Sequence, residues 1–361
     1  MPTLAAHPSP LARTLLSHAV PGELCAPIQG KPGWIHCYAC GHHCRIPPGR
    51  DGICHVRHNQ AGTLMVPHGY AASLQCDPIE KKPFFHVLPG AEALSVGMLG
   101  CDYHCGYCQN WITSQALRDP EAVAPITEID APQIAGLALE RGARAVISTY
   151  NEPLITSEWA MHIFRAARRS GLLTGYVSNG NATPAVLDYI RPHTDLYKVD
   201  LKSFRQARYR DLGGVLHRVL ETLEQLVARK FWVEVVTLVV PGFNDSSEEL
   251  RDIARFLASL SADIPWHVTA YHRDYRMTDP SNTTADDLAR AVAIGREAGL
   301  HFVYAGNLPG RVGDAENTYC PGCSGLLIQR RGYTILGRNL SGSRCAACHA
   351  EVPGIWTAPA A

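Results

Sequence analysis

Eleven of the 13 cysteines fall in three short-spaced clusters, and this spacing constrains the fold more than any other feature of the chain. Closely spaced C-x2-C and C-x3-C pairs in a chain without a secretory leader read as metal ligands, not disulfides. The N-terminal stretch carries Arg13 but is broken by His7, Pro8, Pro10, His18, Pro21 and Glu23, so it does not form the apolar core of an export signal. A reducing, cytoplasmic setting is the expectation. Three metal centres must then be built into one fold.

The middle cluster lies in residues 100–111, GCDYHCGYCQNW, where Cys101, Cys105 and Cys108 form a C-x3-C-x2-C array directly after an apolar run. Full ligation of a [4Fe-4S] cubane takes four cysteines, so three thiolates leave one iron open to a ligand that is not protein. A zinc knuckle completed by His104 is the alternative for this array taken alone, since zinc accepts three cysteines and one histidine. Tyr103, Tyr107 and Trp111 read as packing residues.

The other two clusters have four thiols each. Cys37, Cys40, Cys44 and Cys54 form C-x2-C-x3-C-x9-C, with Pro47, Pro48, Gly49 and Gly52 supplying the turn that returns Cys54. Structural zinc is the preferred occupant and an auxiliary iron-sulfur cluster the alternative, because both are built from thiolates. Cys320, Cys323, Cys345 and Cys348 form two knuckles separated by C-x21-C, the pattern of a four-cysteine zinc ribbon around a hairpin. Arg330, Arg331, Arg338 and Arg344 make that ribbon locally basic.

Between residues 93 and 312 apolar β-type runs alternate with helical patterns, as a parallel βα array requires. Strands are predicted at 93–99, 144–149, 175–178, 196–201, 232–239, 267–271 and 301–304, and helices at 131–141, 157–169, 184–190, 215–230, 246–260 and 285–298. The resulting fold class is α/β, a partial (β/α)6-type TIM barrel. It carries an N-terminal cysteine-rich segment at 31–92, after a helical or poorly ordered lead-in at 1–30, and a C-terminal ribbon-like module at 313–361. Residues 64–89 read as an extended crossing segment broken by proline. Formal net charge is +0, which favours neither a nucleic-acid nor an anionic-membrane partner, and no run is long enough to span a bilayer.

In parallel βα folds, reacting groups gather at the carboxyl ends of the strands. Here those ends carry Cys101, Cys105 and Cys108; Asn151 and Glu152; Ser178 and Asn179; Lys198, Asp200 and Lys202; and Tyr271 and His272. Lys198, Asp200 and Lys202 alternate along one strand, so all three face one side and need partners there.

These motifs resemble those of radical S-adenosylmethionine (SAM) enzymes of the pyruvate formate-lyase activating enzyme branch. More narrowly, residues 34–355 resemble the AmmeMemoRadiSam system radical SAM enzymes through both flanking cysteine groups, Asp77-Pro-Ile-Glu-Lys-Lys-Pro, Thr149-Tyr-Asn-Glu-Pro, Val199-Asp-Leu-Lys and Pro265-Trp-His. The resemblance implies a [4Fe-4S] cluster at Cys101, Cys105 and Cys108 whose open iron is chelated by SAM. Glu152 is then the acceptor of the methionyl ammonium, although Asn151 stands where the family pattern has glycine. Asn151, Ser178, Asn179, Asp200, Lys202 and His272 become cofactor contacts, and Asp77, Glu80, Lys81 and Lys82 candidate site walls. It also implies reductive SAM cleavage to a 5'-deoxyadenosyl radical that takes hydrogen from an unidentified substrate. A reduced flavodoxin or ferredoxin type donor and Memo-like and AMMECR-like proteins are the implied partners. The rival readings are a glycyl-radical-enzyme activase acting on a protein backbone and, from another class, a multi-zinc scaffold or nucleic-acid-binding protein.

Overall fold

The computed structural model describes residues 10–119 and 122–357. Its centre is an eight-stranded sheet of β1 (Ser73–Pro78), β2 (Glu92–Gly97), β3 (Ala143–Ser148), β4 (Leu173–Ser178), β5 (Leu196–Asp200), β6 (Trp232–Val239), β7 (Trp266–Ala270) and β8 (Val303–Gly306), hydrogen-bonded in chain order. From β2 onward every pairing is parallel, whereas β1 runs antiparallel to β2. β1 and β8 are not neighbours, so the barrel stays open. The predicted extended segment at 64–89 is thus resolved into an edge strand. Its antiparallel sense escaped the sequence pattern because Pro78 and the turn after it hide the pairing partner.

The crossover helices are α1 (Ala131–Glu140), α2 (Ser157–Arg169), α3 (Pro184–Ile190), α4 (Gln206–Asp211), α5 (Leu216–Ala228), α6 (Ser247–Leu260) and α7 (Ala285–Glu297). Their starts are written into the sequence. Asp130 and Thr284 form capping boxes with Gln133 and Asp287, and Thr183 and Ser246 accept from Val186 and Glu249 amides, each satisfying backbone donors that a helix leaves unpaired. Apolar faces of these helices bury Ile134, Phe164, Leu223, Leu257 and Leu288 against strand residues such as Val146, Tyr176, Val199 and Val268. Fully burying one such side chain contributes about 1.5–3 kcal/mol, enough to fix the array around its charged interior.

Residues 1–9 of the lead-in lie outside the described residues, and from Pro10 on it is ordered. A helix spans Pro10–Ser17, Ala19–Pro21 pairs with the strand Thr63–Pro67, and Cys25–Pro27 pairs with Ile35–Cys37. The carboxylate of Glu158 on α2 accepts two bonds of 2.7 Å from Arg57, which pins this module to the barrel from a fully buried position.

At the other end, β9 (Leu326–Arg331) and β10 (Thr334–Arg338) form the predicted hairpin. Arg330 is not a surface charge. Its guanidinium is buried, donates to the Phe85 carbonyl and the Thr318 hydroxyl, and lies over the Phe85 ring. The hairpin is therefore docked on the segment after β1. No helix among the described residues is long and apolar enough to cross a membrane.

Candidate active site

The carboxyl ends of the parallel strands surround a cavity of about 390 Å³. Cys101, Cys105 and Cys108 line it together with Asn151, Glu152, Ser178, Asn179, Asp200 and Lys202, so nine of the ten predicted cofactor contacts share one chamber. The exception is His272. It is exposed, with Nδ1 3.3 Å from the Arg273 carbonyl, because Tyr271 takes the inward position at the end of β7 and the chain turns outward after it.

Gly100, with φ +92°, lets the chain leave the sheet, and residues 101–108 then curl so that the Tyr103 amide meets Cys101 Sγ at 3.4 Å and Ser114 Oγ lies 3.1 Å from Cys108 Sγ. Burial, then the charges of Asp102 and Glu152, push the Cys101 thiol well up, and burial pushes Cys105 up to about 12, opposed by Lys202. Such thiols ionise only when a cation compensates them. With Cys108 on the same cavity wall, beside a buried carboxylate, the three cysteines fit an iron-sulfur cluster with one open corner.

Glu152 ends β3's loop and is 2% exposed. Its carboxylate accepts from the Ser178 hydroxyl and the Asn179 amide, both at 2.7 Å, and from the Leu154 amide at 3.1 Å. Burial and the charge of Asp102 nonetheless push its pKa up to about 8. A ligand cation would reverse that balance. Tyr150, two residues earlier, has φ +71°, a conformation that favours glycine, so the strain implied by a missing glycine falls here and not at Asn151. Asn151 instead accepts from the Met98 amide and donates to the Glu152 carbonyl.

Asn179 and Asn181 hold Asp102, a buried carboxylate next to the first cysteine that spacing arguments overlooked, at 2.7 and 2.8 Å. Asn179 is thus tied to both acids of the site. On β5 and just past its end the alternation works as expected: Lys198 pairs with Asp200, and Lys202 lies 3.4 Å from the other Asp200 oxygen. Against burial, the two lysines hold the Asp200 carboxyl down at about 2, and Asp200 in turn raises Lys202.

The far wall comes from outside this ring. Lys82 donates to Asp77 at 3.0 Å and to the Tyr150 hydroxyl at 2.9 Å, and Glu80, Phe85, His267, Thr269, Asn307 and the ribbon's Tyr333 also line the chamber. Glu234 on β6 anchors this wall by accepting from the Phe85 and His86 amides and from Trp232 Nε1, each at 3.0 Å, while His267 Nε2 lies 2.7 Å away. Tyr333 had no signal in the sequence, since nothing local marks a hairpin tip as part of a distant cavity. Trp111, read as core, is 39% exposed and stacks on Tyr275.

Of the two four-cysteine groups, only Cys320, Cys323, Cys345 and Cys348 bring their ligand atoms within 4.8 Å of one another. Cys37, Cys40, Cys44 and Cys54 do not gather to zinc spacing, although Cys37, Cys40 and Cys54 are buried. Spacing along the chain sets which thiols are neighbours, while the separation of the sulfurs follows from how the loops pack.

Residues 95–257 match the Radical SAM superfamily. The chain is an enzyme of the radical SAM type. It belongs to the same family as the uncharacterized protein MJ0808 of Methanocaldococcus jannaschii, to which it is 34% identical over 322 residues, 88% of this chain and 95% of that one. It is also similar to the isethionate sulfite-lyase activating enzyme of Oleidesulfovibrio alaskensis, at 29% identity over 50% of this chain and 60% of that protein. The pyruvate formate-lyase-activating enzyme of Staphylococcus epidermidis is 25% identical over 48% of this chain and 72% of its own length.

Proposed function

We propose that this enzyme binds a [4Fe-4S] cluster through Cys101, Cys105 and Cys108 and SAM through Glu152 and its neighbours, and that it acts on a small molecule seated against the far wall. Once bound, the reduced cluster and SAM supply a 5'-deoxyadenosyl radical that abstracts hydrogen. The observation that carries this reading is the shared chamber of the three thiols and the buried Glu152.

The chain's own residues do the rest. Glu152 offers a carboxylate already oriented by three donors, so a methionyl ammonium forms a charge-assisted bond without reorganising it. Lys202 beside Cys105 offsets part of the thiolate charge. Lys198, Asp200 and Lys202 satisfy one another, so substrate need not complete them. Lys82, His267, Asn307 and Tyr333 lie outside the superfamily match and shape the side away from the cysteines. That enclosing wall supports a small substrate over a protein backbone. A reduced flavodoxin or ferredoxin is the proposed donor, and Memo-like and AMMECR-like proteins are proposed system partners.

Anaerobically reconstituted protein with a low-potential reductant tests the reading. It should release 5'-deoxyadenosine, and Cys105→Ala should release none; cleavage that survives in this variant would refute the cluster assignment. Installation of a glycyl radical on a partner protein, without small-molecule turnover, would replace the substrate assignment.

A further inference from the structure

We propose that Cys37, Cys40, Cys44 and Cys54 hold a second iron-sulfur cluster, closed by four thiolates and packed against the loop that carries Cys101.

The size of the site argues against a single zinc ion. Zn–S bonds of about 2.3 Å in a tetrahedron place the sulfurs about 3.8 Å apart. The ribbon meets that demand, with Sγ separations of 3.5 Å for Cys320 and Cys348 and 3.8 Å for Cys323 and Cys345. In the N-terminal group no three ligand atoms lie within 4.8 Å of one another, yet Cys40 is within electrostatic reach of Cys37 and Cys54, and Cys44 of Cys37. A ring of thiols that is shared but wider suits a cubane, where each thiolate sits on its own iron and sulfurs stand about 6 Å apart.

The group is enclosed by protein, with Cys37, Cys40 and Cys54 buried. Against the larger effect of burial, the backbone amides of His42, Ile53, and Val56 with Arg57 favour the charged forms of Cys40, Cys44 and Cys54 respectively. The Arg57 guanidinium stands within electrostatic reach of Cys54. Cys37 is fixed by two backbone pairings, one across to Cys25 and one from its amide to the Cys44 carbonyl at 2.9 Å.

The site also abuts the first one. A Cβ on Gly100 would lie 3.1 Å from the Cys54 carbonyl and 2.8 Å from Val56, so the two cysteine loops touch through backbone. Arg118 ties them by donating to the Cys101 carbonyl at 2.9 Å and to the Ile53 carbonyl at 3.3 Å. His42, two residues after Cys40, stands 3.6 Å from Asp102. With four thiols the second cluster has no iron open to SAM, which separates its chemistry from that of the cluster at Cys101.

Metal and sulfide analysis of the full-length chain after anaerobic purification tests this. The expected content is about eight irons and eight labile sulfides with about one zinc per chain, since each cubane holds four irons and the ribbon one zinc. About four irons with two zinc ions would overturn it. In the variant Cys101→Ala with Cys105→Ala and Cys108→Ala, about four irons should remain and the spectrum should no longer respond to SAM. Zinc in place of those irons would refute the second cluster. Failure of the radical-enzyme reading looks different: the wild type would then hold about four irons and the triple variant would keep all of them.

Discussion

The two four-cysteine groups are alike in ligand count and differ in almost everything else. The ribbon's thiols converge to within 4.8 Å; two of them are exposed, and the other two, Cys320 and Cys345, pack in an apolar cluster with Leu327, Ile328 and Trp356. The N-terminal group spreads wider and is wrapped by protein, with three buried cysteines and the fully buried Arg57 and Glu158 pair beneath them. With the expected zinc in place, the ribbon would owe local structure to its metal, as small metal ribbons do. The other is given its shape by packing, and the proposed cluster fills a cage that the fold already encloses.

The largest expected contrast comes from removing ribbon ligands. Cys320→Ser with Cys345→Ser should eliminate bound zinc and release the hairpin, withdrawing Tyr333 from the cavity and abolishing substrate turnover while the iron content is unchanged. Loss of iron in parallel would mean that the two sites are not independent. Next in size, Arg57→Ala should lower folding stability by about 3–5 kcal/mol, because it leaves Glu158 buried without its partner. Denaturant titration measures this, and an effect below 1 kcal/mol would show that the N-terminal cage does not depend on packing.

Glu152→Gln should weaken SAM binding about 10- to 100-fold, the ~1.5–3 kcal/mol of a hydrogen bond to a charged group, with the metal content unchanged. In the wild type, burial and the charge of Asp102 push this carboxyl up to about 8. Only the carboxylate attracts an ammonium, so SAM affinity should rise as pH climbs through that value and level off above it. Calorimetric titration reads both effects. The smallest change, Gly100→Ala, forces a side chain into φ +92° against the Cys54 carbonyl, at a cost of about 1–2 kcal/mol. Its signature is a shift in the spectra of both clusters, since their loops touch there.

Much of the barrel could be read from the chain. Helices at 157–169 and 184–190 and the strand at 232–239 match the observed Ser157–Arg169, Pro184–Ile190 and Trp232–Val239, because caps and apolar periodicity act within one turn or one strand. The ring of Cys101, Glu152, Asn179 and Lys202 was legible for a related reason: parallel topology sends every strand end to one mouth. Trp111 and His272 were misjudged because exposure depends on what a loop packs against. Of the four arginines that make the ribbon locally basic, Arg330 spends its charge inside the protein on Phe85 and Thr318.

By itself the sequence determined the number of thiols in each cluster, the alternation that builds a partial barrel, and the polar strand ends that make one site. These follow from local spacing, since ligand neighbours and side-chain faces repeat every few residues. Tertiary structure alone decided that Tyr333 walls the chamber, that Asp102 is held between two asparagines, and that the two four-cysteine groups differ in size. Those outcomes depend on contacts between residues remote in the chain, and the distance between two sulfurs on separate loops is set by the packing that holds the loops together.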